Sequence, residues 1–343
     1  MHIDILKFDQ FRGHQVEKIR LTNDHDVSVG VLTMGAILNE FSVPQADGRK
    51  NLVLSFDQTK KYYDNPFYIG MAIGRTAGRI KDGTMPLAKG AVHLPPNENN
   101  NTHHGGPHSF FDYLWDYHLQ KGEDFLSVTF THQIKESDDG YPGNIAVAIT
   151  FKLTNDDQVI ITYQGTADQP TLFNPTCHAY FNLSNRDHVL NHQLTIASAQ
   201  YLAVDQQKVP TGEFLATANT AYDFRQPVKL QDAIAALQST PEKGLDDIFK
   251  INENAAPIAK LQDLDSKDAL EIYSKRNGLV VYTANALDNT LSFTRGPGRP
   301  QMGIAMEAQT LPDTHNHPGF GDITLSANEP QSYTITYRYL KGN

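Results

Sequence analysis

The stretch from residue 147 to residue 163, VAITFKLTNDDQVIITY, decides the fold class of this chain. Its two ends, 147–153 and 159–163, are short and rich in β-branched and aromatic residues, and a cluster of Asn and Asp separates them. Short apolar segments bounded by turn residues are typical of antiparallel strands. Similar segments recur at 126–131, 279–283 and 333–339. This recurrence from one part of the chain to the next predicts an all-β fold.

Helical patterns are short and few. Apolar residues fall at helical spacing over 230–237, and 59–63 is a second short candidate. No Pro/Ser-rich linker, charge block or low-complexity tract divides the chain, and no repeat of 20 to 50 residues indicates a propeller or solenoid. We therefore predict one domain over 1–343, a large antiparallel β-sandwich with few short helices, in preference to two domains.

Composition limits the class of partner and the compartment. The 343 residues contain 29 Lys+Arg and 39 Asp+Glu, a net charge of −10 with His neutral, which argues against binding to nucleic acid or to an anionic membrane surface. The one cysteine leaves no internal disulfide and suits a reducing compartment. The N-terminus carries acids where a secretory signal needs an apolar core, and no apolar run approaches the roughly 20 residues that span a bilayer. We expect a cytoplasmic protein, either a monomer or a loose homodimer.

The segment 173–183, FNPTCHAYFNL, is the most informative for chemistry. Its aromatic and β-branched residues predict a strand, and strand alternation places four polar or aromatic side chains on one face: Asn174, Thr176, His178 and Tyr180. Cys177 then points to the other face, which predicts a small buried hydrophobe and not a nucleophile paired with His178.

A second unusual segment is 302–309, MGIAMEAQ, where Glu307 interrupts an apolar run and Gln309 points the same way. Carboxylates are seldom fully buried without a partner, because removing the charge from water is costly or shifts the pKa. His178 and Glu307 are therefore candidates for an acid/base pair. The alternative for His178 is a hydrogen-bonded core histidine.

Two further segments carry charge beside glycine. In 74–80, the glycines beside Arg75 and Arg79 match a phosphate-binding fingerprint only loosely, and a surface turn with solvated arginines is the simpler interpretation. In 244–249, Asp246 and Asp247 lack the regular oxygen spacing of a calcium site, and the simpler interpretation is a turn whose Asp side chains accept from backbone N–H groups.

The segment 101–108 holds His103, His104 and His108 around a double glycine. Metal binding is the obvious hypothesis, but no His-Glu-x-x-His or Cys-pair spacing occurs, and neighbouring histidines point apart on an extended backbone. We predict a hydrogen-bonding surface loop, no metal and no cofactor.

Several of these pieces occur in one order and spacing that resembles the aldose 1-epimerases, the galactose mutarotases. The matching segments are AGRI (77–80), HGG (104–106) followed by Trp115, GYPG (140–143), NPT (174–176), His178, YFNL (180–183), PTGE (210–213), DFR (223–225), GLD (244–246), YTAN (282–285) and EAQ (307–309). The resemblance covers about residues 20 to 340, and the part around His178 is the most specific.

The resemblance implies a galactose mutarotase-like supersandwich with the sugar in an open cleft. It implies Glu307 as general base, His178 as general acid, and contacts to the sugar from Arg79, His104 and Asp246. Two positions depart from the family pattern: Asp247 stands where His is usual, and Val280 where many members carry Gln.

For that role we expect the apolar surroundings to raise the pKa of Glu307 toward neutrality, and a nearby anion to keep His178 protonated. The implied activity is interconversion of the anomers of free aldoses such as galactose and glucose. Four alternatives remain: a disaccharide such as maltose as substrate, a sugar-phosphate epimerase that uses Arg75 with Arg79, a non-catalytic carbohydrate-binding protein, and a metal hydrolase. The last would draw on five histidines: His103, His104, His108, His315 and His317.

Overall fold

The computed structural model describes residues 1–87 and 90–342 and consists mainly of antiparallel strands. An N-terminal sheet has five strands in sequential order: His2–Phe11, His14–Thr22, Ser28–Leu32, Leu38–Gln45 and Gly48–Asn51. A large sheet has nine, in the spatial order Asp116–Lys121, Phe125–Ile134, Ile145–Thr154, Gln158–Ala167, Gln331–Leu340, Ala269–Ser274, Ala259–Asp263, His192–Ile196 and Val228–Lys229.

A third sheet, called here the site sheet, has six strands. Their spatial order is Tyr180–Phe181, Ile304–Gln309, Gly278–Tyr282, Asp246–Lys250, Gln200–Val204 and Pro210–Ala216. Five two-stranded pairs complete the β structure of the described residues: Ala72–Ile73 with Thr176–Cys177, Arg79–Ile80 with Thr102–His103, Thr84–Leu87 with Gly90–His93, Thr171–Leu172 with Thr324–Leu325, and Ser292–Phe293 with Gly296–Pro297.

Helices in the described part of the chain are short. The α-helices are Thr59–Tyr63, Glu136–Asp139 and Leu230–Ala236, and the 3₁₀ turns are Lys81–Gly83, Phe110–Asp112 and Thr314–Asn316. None of these helices is long and apolar enough to cross a membrane. The predicted helices at 59–63 and 230–237 are confirmed, the second with Leu230, Ala233 and Ile234 buried.

One main apolar core joins the three sheets. Strand Ile145–Thr154 of the large sheet alternates buried and half-buried residues along its whole length, as its sequence pattern predicts. In the site sheet, Phe249, Val281 and Met306 belong to this core together with Ile161 and Ile335 of the large sheet. The site sheet therefore presents one face to the core, and its other face is available for a site.

The predicted all-β class and the predicted strands at 126–131, 147–153, 159–163, 279–283 and 333–339 are confirmed, with Thr283 just beyond its strand. The prediction of one strand over 173–183 is wrong. That segment contains only Thr176–Cys177 and Tyr180–Phe181 as strands, and the two pair with different partners. The interruption lies at His178, whose backbone N–H and C=O bond to Met71 and Gly70 instead of to the site sheet.

Candidate active site

A pocket lies on the free face of the site sheet. Strand pairing sets Val280 opposite both Ile248 and Glu307. Because side chains alternate along a strand, Asp246, Glu307 and Gln309 share that face. The pocket has a cavity volume of about 210 Å³ and opens to solvent. Its wall comprises Pro66, Phe67, Tyr68, Gly78, Arg79, Glu98, His103, His104, His178, Tyr180, Val204, Lys208, Asp246, Ile248, Val280, Tyr282, Glu307, Gln309 and Pro312.

The structure brings His178 and Glu307 together in this pocket. The imidazole Nε2 lies 3.4 Å from the carboxyl Oε1, and the side chains are only 7% and 2% exposed. Nδ1 of the imidazole and Oε2 of the carboxyl are buried without a partner among the described residues. Cys177, by contrast, is buried in the main core, as predicted. The expected meeting of two distant segments is thus present.

Burial shifts the two pKa values in opposite directions. Desolvation, reinforced by Asp246, raises the pKa of Glu307 to about 8, although Arg79 opposes it. Desolvation lowers the pKa of His178 to about 4. The expected rise at Glu307 is present, but the expectation that an anion keeps His178 protonated is wrong. Its nearest carboxyl is itself protonated near neutral pH, so the pair holds one proton on Glu307.

His103 and His104 both reach the pocket, contrary to the prediction that they point apart. Their ring centroids lie 3.8 Å from each other. The backbone is not extended here: φ is +49° at His104, +87° at Gly105 and +86° at Gly106. A side chain at Gly105 would meet the Gly74 carbonyl oxygen at 2.2 Å, so the first of the two glycines is required for this turn. Three left-handed residues in a row cancel the alternation of a strand.

Backbone contacts fix the ring of His104. Its Nδ1 accepts from the Gly78 N–H at 3.3 Å, and its own N–H donates to the Gly78 carbonyl at 3.1 Å. A neutral imidazole that accepts at Nδ1 carries its proton on Nε2. Burial lowers the pKa of His104 well below its usual value, so the ring is neutral. His104 therefore offers the pocket a hydrogen-bond donor.

The position of the ring proton on His104 is relevant to the hypothesis of a bound metal. His104, His178 and Glu307 have ligand-type atoms within 4.8 Å of one another. Metal-bound histidine donates its second ring N–H, whereas Nδ1 of His104 accepts one, so this ring does not suit a metal. The other histidines of the hydrolase alternative are not gathered in a ligand group among the described residues: His108 pairs with Asp112, and His317 with Asp313.

The two arginines of 74–80 differ in environment. Arg79 lines the pocket and forms a two-point ion pair with Glu98, with Nη2 to Oε1 at 2.9 Å. Arg75 is 1% exposed and forks onto the carboxylate of Asp139 at 2.6 and 3.0 Å, away from the pocket wall. The prediction of solvated arginines in a surface turn is therefore wrong for Arg75. An internal carboxylate partner explains its burial.

Asp246 begins a strand, so the predicted turn at 244–249 is wrong beyond Leu245. Its carboxylate lines the pocket 3.8 Å from Nζ of Lys208. Asp247 lies behind it and accepts from the Asp246 N–H at 2.9 Å, which is the backbone capping that was expected of these acids. Burial raises the pKa of Asp247 to about 7. Val280 lines the wall beside Ile248, so this side of the pocket is apolar.

Three wall residues with polar side chains escaped the sequence analysis: Tyr68, Glu98 and Lys208. Tyr68 has φ of +51° and its ring lies 4.8 Å from that of His104. Glu98 contacts both Arg79 and His103, and Lys208 also pairs with Glu242. Each comes from a loop whose local sequence has no special pattern. Their only common signal is proximity in the folded chain.

Comparison with known proteins gives one consistent answer. The sequence profile of the family described as aldose 1-epimerase matches residues 17–338. The chain is 42% identical over 328 residues to maltose epimerase of Levilactobacillus brevis, with 95% of each chain covered. It is 32% identical over 333 residues to human galactose mutarotase, again with 95% of each covered. The crystal structure of galactose 1-epimerase from Lactobacillus acidophilus superposes over 100% of both chains with a TM-score of 0.87 and 28% identity.

Proposed function

This chain belongs to the aldose 1-epimerase family, and from that premise we propose that it interconverts the α and β anomers of free aldoses such as galactose and glucose, with Glu307 as general base and His178 as general acid. The observation that carries the proposal is the 3.4 Å contact between the two groups inside an open pocket. Proton transfer needs hydrogen-bond range or one intervening water, and a sugar hydroxyl beside this pair meets that condition.

The reaction moves two protons and consumes no proton overall. An aldose opens when the C1 hydroxyl loses a proton and the ring oxygen gains one; rotation about C1–C2 and reclosure on the other face give the second anomer. A single proton on the pair is enough for both roles. The form with Glu307 ionised and His178 protonated holds the same number of protons as the form in which both groups are neutral. Transfer of that proton from Glu307 to His178, directly or through a bound hydroxyl, produces the reactive form. Each well-placed acid or base contributes on the order of 10²–10⁴-fold.

Three other residues suit the grip on the sugar. The His104 Nε2–H is a donor directed by Gly78, Arg79 is held by Glu98, and Asp246 is an acceptor. Arg79 and Asp246 also act on the pKa of Glu307 in opposite directions. This combination of donors and an acceptor matches sugar hydroxyls, and it leaves His178 and Glu307 free for the anomeric centre.

Reducing disaccharides such as maltose are a second candidate substrate class. One relative at 42% identity is named maltose epimerase, and the pocket opens to solvent. The chemistry at the reducing end is the same for both classes. Initial mutarotation rates of freshly dissolved α-anomers of galactose, glucose and maltose would rank them.

Sugar phosphates fit less well. Among the described residues of the wall, the cationic side chains are Arg79 and Lys208, and both are paired, with Glu98 and with Glu242 and Asp246 respectively. A phosphate would have to compete with these carboxylates. A non-catalytic carbohydrate-binding role would leave the buried His178–Glu307 contact without a purpose.

We further propose that the chain is one domain, acts in the cytoplasm without nucleic-acid or membrane partners, and is a monomer or loose homodimer.

Polarimetry with purified protein tests the proposal. Fresh α-D-glucose and α-D-galactose should reach anomeric equilibrium faster in proportion to enzyme concentration, beyond the spontaneous rate. Glucose 6-phosphate should be a poorer substrate than glucose. Mutarotation at the spontaneous rate for all sugars would overturn the proposed activity.

A further inference from the structure

The segment that carries His178 meets the strand that carries Glu307 in an unusual way. Backbone pairing between them covers only Tyr180 with Ala305 and Phe181 with Ile304. Over 174–178 the backbone is bonded elsewhere, to residues 70–77: Asn174 N–H donates to Arg75, Ala77 N–H donates to Asn174, and His178 N–H donates to Met71. The two catalytic candidates therefore lie next to each other just where regular sheet pairing between their segments has ended.

Side chains of the segment provide the connection instead. The Asn174 Nδ2 donates to the Thr310 carbonyl at 3.0 Å, and its Oδ1 accepts from the Thr310 N–H at 3.1 Å. The Thr176 hydroxyl donates to the Ala308 carbonyl at 3.0 Å. Both side chains are completely buried. Asn174, Thr176 and His178 thus contact positions 310, 308 and 307 in turn, as three steps between the two segments.

Arg276 supports the first step from the side. Its Nη2 donates to the Asn174 Oδ1, and its Nη1 donates to the Pro175 carbonyl at 2.6 Å. The guanidinium lies 4.1 Å from the ring centroid of Tyr333, and Arg276 is 6% exposed. The Nε of Arg276 is buried without a partner among the described residues, so the guanidinium is held by the contacts of Nη1 and Nη2 and by the Tyr333 ring. The Asn174 carboxamide is consequently held at both ends.

We infer that Asn174, Thr176 and Arg276 are positioning residues that set the separation of the His178 imidazole and the Glu307 carboxyl. None of them lines the pocket, so they act through the backbone positions they connect. The expected effect on the reaction rate rests on the proposed mutarotation activity. The expected effect on the distance between His178 and Glu307 does not. Misplacement of reacting groups by about 1 Å lowers rates by about 10²-fold. Loss of the connection should therefore reduce kcat with little change in KM, because the sugar-binding side chains stay in place.

The test compares three variants with the wild type in mutarotation kinetics. Thr176→Val has nearly the same shape but lacks the hydroxyl, and Thr176→Ser keeps it. We expect kcat to fall about 10-fold in Thr176→Val and about 10- to 100-fold in Asn174→Ala, with KM within about 3-fold, and Thr176→Ser to stay near wild type. A crystal structure of Asn174→Ala should show the His178 Nε2 to Glu307 Oε1 distance increased from 3.4 Å.

Asn39→Ala is the matched control. Asn39 is another buried carboxamide, which donates to the Phe56 carbonyl at 3.0 Å and to the Tyr62 hydroxyl at 2.8 Å outside the pocket wall. It should lose stability but keep kcat. Equal kcat in Thr176→Val and Thr176→Ser, or an equal loss in Asn39→Ala and Asn174→Ala, overturns the inference. If Asn174→Ala does not fold, the Thr176 pair decides. If the wild type catalyses no mutarotation, the proposed function fails, and the distance in the variant crystals still tests positioning.

Discussion

Replacement of Glu307 by Gln should reduce catalysis by about 10²–10⁴-fold and stabilise the fold. Gln has nearly the same shape as a protonated Glu, so the pocket keeps its packing while it loses the group that takes and gives the proton. Between pH 4.5 and about 8 the folded wild type holds a proton on Glu307 that the unfolded chain has released. Wild-type stability therefore falls as pH rises through that window, and Glu307→Gln is free of this loss.

The magnitude follows from the pKa shift. The Glu307 pKa is raised from 4.5 to about 8. At pH 7 the difference from 4.5 is about 2.5 pH units, which makes the variant more stable by about 3 kcal/mol. The advantage should vanish below pH 4.5 and level off near 5 kcal/mol above pH 8. Urea unfolding at pH 4.5, 7 and 8.5 measures it, and polarimetry should show a loss of about 10²–10⁴-fold in activity.

Glu40→Gln is an informative control, because that glutamate is also buried but is paired with Lys18 and Arg20, and its pKa is lowered. Its replacement should destabilise the fold near neutral pH and leave mutarotation intact. The reasoning fails if Glu307→Gln retains wild-type activity. It also fails if the stability difference between Glu307→Gln and wild type does not grow with pH.

Three further outcomes are expected. His178→Asn should lose about 10²–10⁴-fold in kcat while its far-UV circular dichroism stays that of the wild type, and full activity would remove His178 from the mechanism. The pH profile of kcat/KM should be bell-shaped, with a plateau between about pH 4 and about pH 8. Below that range His178 takes up a second proton, and above it Glu307 loses the single proton of the pair. A profile that still rises at pH 9 would contradict this. Incubation with a chelator should leave mutarotation unchanged, since the His104 ring donates where a metal ligand would have to accept; a loss that zinc restores would contradict that tautomer.

Most of the fold could be predicted from the periodicity of single strands. The segments at 126–131, 147–153 and 333–339 have the residue pattern of half-buried strands, and such a pattern depends only on neighbours in sequence. The segment 173–183 has the same composition, yet its backbone bonds to residues 70–77 interrupt the strand at His178. Composition cannot reveal that interruption, because it depends on partners about 100 positions away.

The residues of the candidate site also divide into those that the sequence indicated and those that it did not. Glu307 and His178 stood out in the sequence because a titratable group in an apolar segment is rare, and Arg79, His104 and Asp246 came from the family resemblance. Tyr68, Glu98 and Lys208 gave no signal, since a charged or aromatic loop residue is ordinary until folding places it on a pocket wall. The sign of the His178 pKa shift was likewise inaccessible, because it depends on burial and on the protonation of its neighbour.

By itself the sequence determined the all-β class, two of the three short α-helices and two candidates for acid/base work, since each depends on local pattern. Only the tertiary structure decided that His103 and His104 face the same pocket, that Arg75 is an internal ion-pair partner of Asp139, and that Glu307 holds the proton of its pair with His178. The physical reason is that left-handed backbone turns, buried partners and low-dielectric surroundings arise from residues far apart in the chain. Their effects exist only once those residues are in contact.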